Sequence, residues 1–507
     1  MIGFEKRSIT EVVEETARRV PRKTAIIYER ERITYSELIR RKQEITSFLH
    51  SLGVRNGDRI AFLLSNRPEY ATFSLAAFSL GAQVVPLNTR LASDEILFIL
   101  TDSSSRIFVT EQMFIEVAAS AIKRGTSIEH LINVDKMGFA DSKPIEESEQ
   151  VSPDSIALIA YTSGTTGLLK GAQLSHKNLL SNAFACLETI ELHPKDNFLC
   201  ILPLSHTFPF TVCLLVPLLS GTTVTLIPSV KHFKQVMKSV FKNRVTIFVG
   251  IPQIYRAMAN APAPGIVARF FLRFLNPLRL CISGADPLPT DILDAFERRF
   301  KIPLLEGYGL TEASPVVTFN LPRNRKKGSV GIPLKGVEVR VLSEETGALS
   351  HCGEGELCVK GDNVMAGYLN RPFETSKCIV DGWLRTGDIA RIDEEGFVHI
   401  IGRKKDMISV KGLKIYPPEV EMVLMNHPAV ADCAVFGIPD EQSGEVPAAA
   451  VILKENFQTT PNSLKSFLKE HIADYKIPRK ILFLEELPKT ATGKVRRHIL
   501  SSLYRQK

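Results

Sequence analysis

Along most of the chain, short apolar runs of strand length alternate with longer segments whose apolar residues recur at helical spacing. TYSELIRRKQEITSFLHSLG (residues 34–53) has the helical pattern and ends at a glycine, and RIAFLLS (residues 59–65) follows as a buried strand. EYATFSLAAFSLGAQVVPLN (residues 69–88) repeats the order of helix, glycine and strand. This alternation predicts helices layered on a largely parallel sheet, an α/β fold.

The pattern changes after Leu310. GVEVRVLSEETG (residues 336–347) and GELCVKGDN (residues 355–363) are rich in strand formers and turn residues, which predicts a smaller β portion resembling a barrel. YPPEVEMVLMNHPAV (residues 416–430) then predicts a helix with prolines at its start.

The C-terminal part of the chain predicts a separate small α+β domain. Three strand-like segments surround further helix: VADCAVFGIPD, AAAVILK and KILFLEELP. The charged, turn-prone stretch IGRKKDMISV (residues 401–410) marks the boundary. The prediction is therefore a large domain over residues 1–402 and a small one over residues 403–507.

Composition excludes nucleic acid as a partner. The 507 residues carry a formal charge of only +8, and the positive residues are spread evenly. That mild excess suits a polyanionic small molecule or an anionic membrane surface. The sequence also lacks helix-turn-helix, zinc-finger and RNP signatures.

The cysteines and the apolar runs predict a cytoplasmic protein. None of the eight cysteines forms a C-x-x-C pair, and most stand in apolar runs, which indicates buried reduced thiols. The first residues lack the apolar core of a signal peptide. The most apolar run, TVCLLVPLLSG (residues 211–221), contains Pro217 and is far shorter than the ~20 residues of a membrane span.

The segment TSGTTGLLKG (residues 162–171) has the composition of a phosphate-binding loop. Its glycines allow backbone amides to approach phosphate oxygens, and its hydroxyl side chains add donors. It is not a Walker A loop, because Lys170 is followed by glycine and alanine instead of serine or threonine. Alone, the segment predicts phosphate binding, and an ordinary Ser/Thr/Gly turn is the alternative.

Three later motifs change that interpretation. EGYGLTE (residues 306–312), GWLRTGDIARIDEEGFVHIIGRKKD (residues 382–406) and PKTATGKVRR (residues 488–497) follow in this order at wide spacing. Together with residues 162–171 they make the chain resemble the adenylate-forming superfamily of acyl-CoA synthetases, peptide-synthetase adenylation domains and firefly luciferases. The resemblance implies a large N-terminal domain of layered α/β subdomains with a β-barrel portion, and a small mobile α+β C-terminal domain.

Within the superfamily, DGWLRTGD and RKKDMISVKGLKIYPPEVE are most similar to medium- to long-chain fatty-acid–CoA ligases. That resemblance implies two half-reactions that use ATP, Mg²⁺ and coenzyme A. A carboxylate first attacks the α-phosphate of ATP, giving acyl-adenylate and pyrophosphate, and the thiol of coenzyme A then displaces AMP. Neither step requires a covalent protein nucleophile, in keeping with the lack of a G-x-S-x-G elbow.

The resemblance also implies roles for individual residues. The residues that would wrap the β- and γ-phosphates are Thr162, Ser163, Gly164, Thr165, Thr166, Gly167 and Lys170. Those that would line the adenine are Gly284, Ala285 and Asp286 together with Glu306, Gly307, Tyr308 and Gly309. Thr311 would contact the α-phosphate, and Glu312 would hold Mg²⁺, for which a carboxylate is a suitable hard ligand.

The C-terminal motifs receive roles in the same way. Asp388 would accept the ribose hydroxyls and Arg403 would donate to the same sugar. Lys494 would be the adenylation lysine, because an ammonium placed where negative charge concentrates stabilises the transition state. Lys405 stands at the hinge position, and Gly412 would be presented to coenzyme A after a rotation of the small domain.

The acyl group is less closely defined by the sequence. His206, in LPLSHTFPF, matches a histidine at the entrance of the acyl pocket, and Phe208 or Phe210 could replace the tryptophan gate of some relatives. GIVARFFLRFLNPLRL (residues 265–280) is a candidate amphipathic helix for peripheral membrane contact, a buried helix being the alternative. Monomer and homodimer both fit.

Two other functions remain open. One is a coenzyme A ligase for an aromatic or succinylbenzoate-type acid, and the other is an acyl-AMP ligase that loads a carrier protein. The direct passage through residues 318–342 leaves no room for the insertion that such acyl-AMP ligases carry. The chain also departs from its relatives at Leu168-Leu169, where they place a proline, and at KGLK, where many have GGEN.

Overall fold

A computed structural model describes residues 6–137, 150–163, 169–228, 233–260, 277–410, 413–440, 443–489 and 495–505. The chain divides into two compact units. The N-terminal unit comprises residues 1–339 and 359–385, and the C-terminal unit comprises residues 340–358 and 386–507. The domain boundary predicted after residue 402 stays a prediction.

The strands of the described residues, in chain order, have the following bounds: β1 Thr24–Tyr28, β2 Glu31–Thr34, β3 Arg59–Leu63, β4 Gln83–Pro86, β5 Ile107–Thr110, β6 His130–Asn133, β7 Ile156–Ser163, β8 Leu169–Ser175, β9 Asn197–Cys200, β10 Thr223–Leu226, β11 Ile247–Gly250, β12 Leu280–Ser283, β13 Leu304–Gly309, β14 Val316–Phe319, β15 Ile332–Pro333, β16 Val337–Leu342, β17 Leu349–Ser350, β18 Gly353–Gly361, β19 Gly367–Tyr368, β20 Ile379–Val380, β21 Trp383–Ile392, β22 Val398–Arg403, β23 Ile408–Val410, β24 Leu413–Ile415, β25 Val430–Asp440, β26 Gly444–Leu453 and β27 Lys480–Phe483.

The α-helices of the described residues are α1 Ile9–Arg19, α2 Tyr35–Ser51, α3 Pro68–Ser79, α4 Ser93–Ser103, α5 Ile115–Lys123, α6 His176–Thr189, α7 Thr207–Pro209, α8 Val216–Ser220, α9 Phe233–Lys242, α10 Pro252–Asn260, α11 Thr290–Phe300, α12 Pro372–Cys378, α13 Pro417–Met425, α14 Pro461–Lys469 and α15 Arg497–Arg505. A π-helical turn, Phe210–Leu215, joins α7 to α8. None of the helices in the described ranges combines the length and the apolar character that a membrane crossing requires.

Two sheets of the N-terminal unit arrange the alternating strands and helices into layers. A nine-stranded sheet has the order β15-β14-β13-β12-β11-β9-β10-β1-β2, and its pairs from β13 to β1 are parallel. A seven-stranded sheet has the order β19-β8-β7-β4-β3-β5-β6, with β7, β4, β3, β5 and β6 parallel. Most of the parallel strands, such as β5, β11 and β12, are buried apolar runs, as expected when both faces are covered.

Two apolar clusters hold these layers together. One packs α10 and α11 against β11 and β12 through fully buried Phe248, Tyr255 and Phe296. Another packs α4 and α5 on the seven-stranded sheet through Ile99, Leu100 and Phe108. The carboxyl ends of β12 and β13 therefore stand on a rigid core, which is the usual support for a binding site in an α/β sheet.

The described part of the C-terminal unit contains an α+β layer. Its five-stranded sheet has the order β24-β23-β26-β25, with β27 beside β26, and α13 and α14 cover one face through Val420, Leu424 and Leu464.

A six-stranded sheet lies within residues 337–403, parts of which are assigned to each of the two units. Its order is β17-β16-β18-β21-β20, with β22 beside β21, and it accounts for the predicted β-barrel portion.

Local sequence explains where several helices begin and end. The Ser8 hydroxyl caps α1 by accepting from the Glu11 amide, and the Glu11 carboxylate accepts from the Ser8 amide, which together form a capping box. The helix predicted over residues 34–53 begins after its cap Thr34 and ends at Ser51, before Gly53 at φ +80°. The apolar run at residues 211–221 is buried in the N-terminal unit, and its helix ends at Gly221 with φ +75°.

Candidate active site

The predicted phosphate-binding residues belong to a hairpin at the edge of the seven-stranded sheet. β7 and β8 are antiparallel, and Thr162 lies opposite Lys170 in the ladder, with Ser163 opposite Leu169. Gly164, Thr165, Thr166 and Gly167 lie outside the described residues. The register of the β7–β8 ladder thus brings the only lysine of the segment level with Thr162.

EGYGLTE forms the end of β13 and the 3₁₀ turn that follows it. Glu306 to Gly309 complete the strand, and Thr311 and Glu312 open the turn at Thr311–Ala313. Both turn residues are half-buried. A Cβ at Gly307 would lie 2.8 Å from the Phe319 ring and 3.0 Å from the Thr318 carbonyl oxygen, so only glycine fits there without a shift.

Tyr368 brings the predicted metal ligand and the predicted phosphate lysine together. Its hydroxyl donates to Oε1 of Glu312 at 2.7 Å, and the Nζ of Lys170 lies 5.4 Å from the centroid of the same ring. The backbone carbonyl of Glu312 also accepts from the Met365 amide at 2.9 Å. A carboxylate and an ammonium therefore face one tyrosine from two sides.

Mg²⁺ fits this arrangement as an ion shared with nucleotide phosphates. Among the described residues no group of three or more His, Cys, Asp or Glu side chains could hold a metal by itself. Mg²⁺ is commonly bound through one or two carboxylates, with phosphate and water completing its coordination. Glu312 offers such a carboxylate: Tyr368 bonds its Oε1, and within the described ranges no hydrogen bond to its Oε2 is seen.

Glu306 is a carboxyl group kept largely uncharged by its surroundings. Burial raises its pKa to about 8, and the Leu288 amide, which donates to Oε1 at 2.8 Å, opposes that rise. Its backbone carbonyl accepts from the Asn320 amide at 3.0 Å. Near neutral pH this residue therefore adds a neutral polar group, not a second negative charge, beside the site.

The stretch predicted to line adenine follows β12. Ala285 has φ +73°, a left-handed conformation that is uncommon for a residue with a Cβ. A Cβ on Gly284 would lie 2.8 Å from Cζ of Phe208, so the ring packs directly on this glycine. Asp286 accepts a 3.4 Å bond from the Gln253 side chain.

The LPLSHTFPF segment connects the polar end of the site to an apolar wall. His206 Nε2 lies 2.9 Å from Nδ2 of Asn88, and Thr207 Oγ1 lies 3.3 Å from Thr311 Oγ1. Phe208 packs against the apolar cluster of α10 and α11.

Only one of the two phenylalanines considered as gates has the position for that role. Phe210 is 1% exposed and packs between Tyr70 and Phe78, with ring centroids 6.3 and 6.5 Å away. It is a core residue, so Phe208 is the remaining candidate.

In the C-terminal unit, the two residues predicted to bind ribose are neighbours. Asp388 on β21 and Arg403 on β22 are opposite each other in the ladder, and Nε of Arg403 lies 3.0 Å from Oδ1 of Asp388. Asp388 is 3% exposed. Lys405 lies in the 3₁₀ turn Lys404–Asp406 directly after β22.

The remaining predicted residues fall outside the described ranges. These are Gly412 and Lys494, and of the candidate membrane helix only residues 277–280 are described. The segment with Lys494 is nevertheless bracketed by described residues, since Lys489 pairs with Val495 and the Arg496 amide donates to the Pro488 carbonyl at 2.8 Å.

Sequence reasoning missed three participants: Tyr368, Asn88 and Thr207. For Tyr368 the sequence shows only the Gly-Tyr pair in VMAGYLN, and the φ of +144° at Gly367 and its close approach to Thr375 appear only in the structure. Asn88 and Thr207 gave no comparable signal, because their partners are 118 and 104 residues away.

Comparison with known proteins gives two family matches and close relatives. The AMP-binding enzyme family matches residues 13–369, and the AMP-binding enzyme C-terminal domain matches residues 419–494. A feruloyl-CoA synthase from Amycolatopsis sp is 35% identical over 481 residues, covering 94% of this chain and 95% of the relative. A long-chain-fatty-acid–CoA ligase from Bacillus subtilis (strain 168) is 32% identical over 534 residues, covering 97% and 94%.

A solved structure extends the similarity to the fold. The o-succinylbenzoate CoA synthetase from Bacillus subtilis, in complex with its acyl-adenylate intermediate, aligns with a TM-score of 0.88 at 31% identity. The alignment covers 96% of this chain and 97% of that one. The predicted fold class, layered α/β with a β-barrel portion and a small C-terminal domain, is confirmed.

Proposed function

The chain belongs to the AMP-binding enzyme family, the adenylate-forming enzymes, and from this premise we propose that it activates an apolar carboxylic acid, a medium- or long-chain fatty acid, as its coenzyme A thioester. The enzyme is an ATP-dependent, AMP-forming acid–thiol ligase that uses ATP, Mg²⁺ and coenzyme A. The family and the enzyme class predicted from the four sequence motifs are confirmed. The acyl group and the residue roles are what we propose here.

The polar part of the site suits the adenylation step. Lys170 would hold the pyrophosphate that leaves, Glu312 would hold Mg²⁺, and Thr311, next to Glu312, would contact the α-phosphate. The metal ion, when bound, neutralises phosphate charge. The neutral Glu306 avoids a second carboxylate that would repel the phosphates and the substrate carboxylate.

The observation that carries the acyl proposal is the continuity of residues 206–208. Thr207 contacts Thr311 at the polar end, and the next residue, Phe208, lies on Gly284 and packs into an apolar cluster. A bound acid whose carboxylate points to Thr311 would therefore place its acyl group along Phe208. That orientation suits a long apolar chain, and the similarity to a long-chain-fatty-acid–CoA ligase supports it.

An aryl acid is the second candidate. The Phe208 ring, whose tip lies against Gly284, would also contact an aromatic ring, for which offset or edge-on contacts are favourable. The feruloyl-CoA synthase and the o-succinylbenzoate CoA synthetase among the similar proteins favour this alternative.

A pyrophosphate-release screen separates the two candidates. Purified enzyme with ATP and Mg²⁺ would be offered saturated fatty acids from two to eighteen carbons, and ferulate, 4-coumarate and o-succinylbenzoate, each with and without coenzyme A. We expect the highest kcat/KM for a fatty acid of eight or more carbons, with AMP and acyl-CoA formed in equal amounts. A higher kcat/KM for an aryl acid would establish the second candidate.

The same screen tests transfer to coenzyme A. Multiple turnovers that require coenzyme A support the ligase. A single pyrophosphate burst that coenzyme A leaves unchanged would point to the acyl-AMP ligase alternative. The roles given to Asp388, Arg403, Lys405, Gly412 and Lys494 remain predictions from family membership.

A further inference from the structure

Tyr368 is held at the edge of the seven-stranded sheet by its backbone. It belongs to β19, where it lies opposite Ala172 of β8, two residues after Lys170. Its amide donates to Oγ1 of Thr375 on α12 at 2.9 Å, and Gly367 before it allows the close approach of that threonine. These contacts hold the backbone from which the phenol extends to Glu312.

The phenol in turn determines how the Glu312 carboxylate is turned. Its hydroxyl donates to Oε1 at 2.7 Å, while the amide of Met365, in the same short segment, donates to the Glu312 backbone carbonyl at 2.9 Å. Glu312 is thus bound at its backbone and at one carboxylate oxygen by residues 365–368. This leaves Oε2 as the oxygen to present to a cation.

The ring of the same residue supports Lys170. The ammonium lies 5.4 Å from the ring centroid, within the range of a cation–π contact. One side chain therefore joins the metal ligand, on the turn after β13, to the phosphate lysine, on β8, although 142 positions separate these two residues in the chain.

We propose that Tyr368 is a positioning residue for the metal–phosphate centre: its hydroxyl orients Glu312 for Mg²⁺ and its ring places Lys170 for the phosphates. The inference rests on the proposed nucleotide roles of Glu312 and Lys170. Partners that orient metal ligands commonly change metal affinity by roughly 10- to 100-fold when removed. The hydroxyl and the ring should have separable effects.

The test compares Tyr368→Phe, which removes only the hydroxyl, with Tyr368→Leu, which also removes the ring. Tyr161→Phe is the matched control, because Tyr161 donates to a carboxylate oxygen of Asp102 at the same 2.7 Å but contacts neither Glu312 nor Lys170 in the described contacts. Glu312→Gln marks complete loss of the metal ligand. Melting curves verify that each variant is folded.

The readout is equilibrium binding without any acid substrate. ATP affinity is measured by calorimetry without a divalent cation, and Mn²⁺ affinity in the presence of ATP is measured by electron paramagnetic resonance. Tyr368→Phe should weaken Mn²⁺ binding about tenfold or more while its metal-free ATP affinity stays within about twofold of wild type. Tyr368→Leu should weaken both, because Lys170 loses its support.

Wild-type Mn²⁺ affinity in Tyr368→Phe, or an equal loss in Tyr161→Phe, would overturn the proposal. Because no acid takes part, these outcomes are independent of which acyl group the enzyme prefers. Failure of the wild-type protein to bind Mn²⁺ with ATP would contradict the proposed nucleotide site itself and so is distinguishable from failure of the Tyr368 inference.

Discussion

Replacing Gly284 with alanine should change which acids the enzyme accepts. The added Cβ would lie 2.8 Å from Cζ and 3.1 Å from Cε1 of Phe208. Carbon atoms pack best at about 3.5–4.0 Å, so the ring must recede by roughly 0.8 Å. Phe208 packs on the cluster of α10 and α11, and the ring therefore moves either into that core or into the space proposed for the acyl group.

Overpacking of this kind costs about 1–3 kcal/mol. If the ring can recede only when no acid is bound, this cost lowers kcat/KM by roughly 5- to 150-fold. The assay is pyrophosphate release with a short and a long acid at limiting concentration. We expect the loss to be largest for the bulkiest acid that the wild-type enzyme uses and small for acetate.

A double-mutant cycle shows whether the contact with Phe208 is the cause. Phe208→Leu removes the clashing ring atoms, so Gly284→Ala/Phe208→Leu should recover most of the loss, with a coupling of about 1 kcal/mol or more. Phe210→Leu is the control, because Phe210 packs on Tyr70 and Phe78 and should lower the melting temperature without changing acid preference. An unchanged acid profile in Gly284→Ala, or strictly additive effects in the double mutant, would refute the reasoning.

Four further predictions concern protonation, catalysis and stability. Burial lowers the pKa of His176 from 6.5 to about 4 while its Nδ1 accepts from the Ile9 amide, so between these pH values the folded protein binds fewer protons than the unfolded one. The free energy of unfolding should therefore fall as pH falls from 6.5 towards 4. In urea unfolding, His176→Asn should show a shallower fall over the same pH range. Burial raises the pKa of Glu306 to about 8, the opposite sign, so stability should fall as pH rises from 4.5 through about 8; Glu306→Gln should flatten that alkaline slope, and a slope identical to wild type would contradict the assignment. Lys494→Ala should slow acyl-adenylate formation by about 10²- to 10³-fold and leave thioester formation from supplied acyl-adenylate within about threefold, as measured by separate half-reaction assays; unimpaired adenylation would show that Lys494 has another role. Arg497→Ala should cost about 3 kcal/mol in urea unfolding, because the mostly buried Glu421 carboxyl group, whose pKa burial already raises, would lose the guanidinium that bonds it at 2.7 and 2.9 Å. Glu421→Gln/Arg497→Ala should recover part of the loss.

Local pattern was sufficient for the elements and for the chemistry of each motif. The helical spacing of residues 34–53 predicted α2 to within two residues at either end, because apolar periodicity and a capping threonine act over a few residues. The composition of residues 162–171 predicted phosphate binding, since glycines and hydroxyls have the same local chemistry in any fold. The nucleotide site was implied by the family resemblance that this motif shares with residues 306–312.

The sequence by itself therefore determined the fold class and the family, and it predicted the kinds of group that bind the nucleotide. Only the tertiary structure decided which side chains from distant parts of the chain contact those groups. Tyr368 reaches Glu312 across 56 positions, and Asn88 reaches His206 across 118. It also separated Phe208, which lies on Gly284, from Phe210, which lies in the core. The physical reason is that a contact between strands and turns far apart in the chain depends on sheet order and register, which no local pattern encodes.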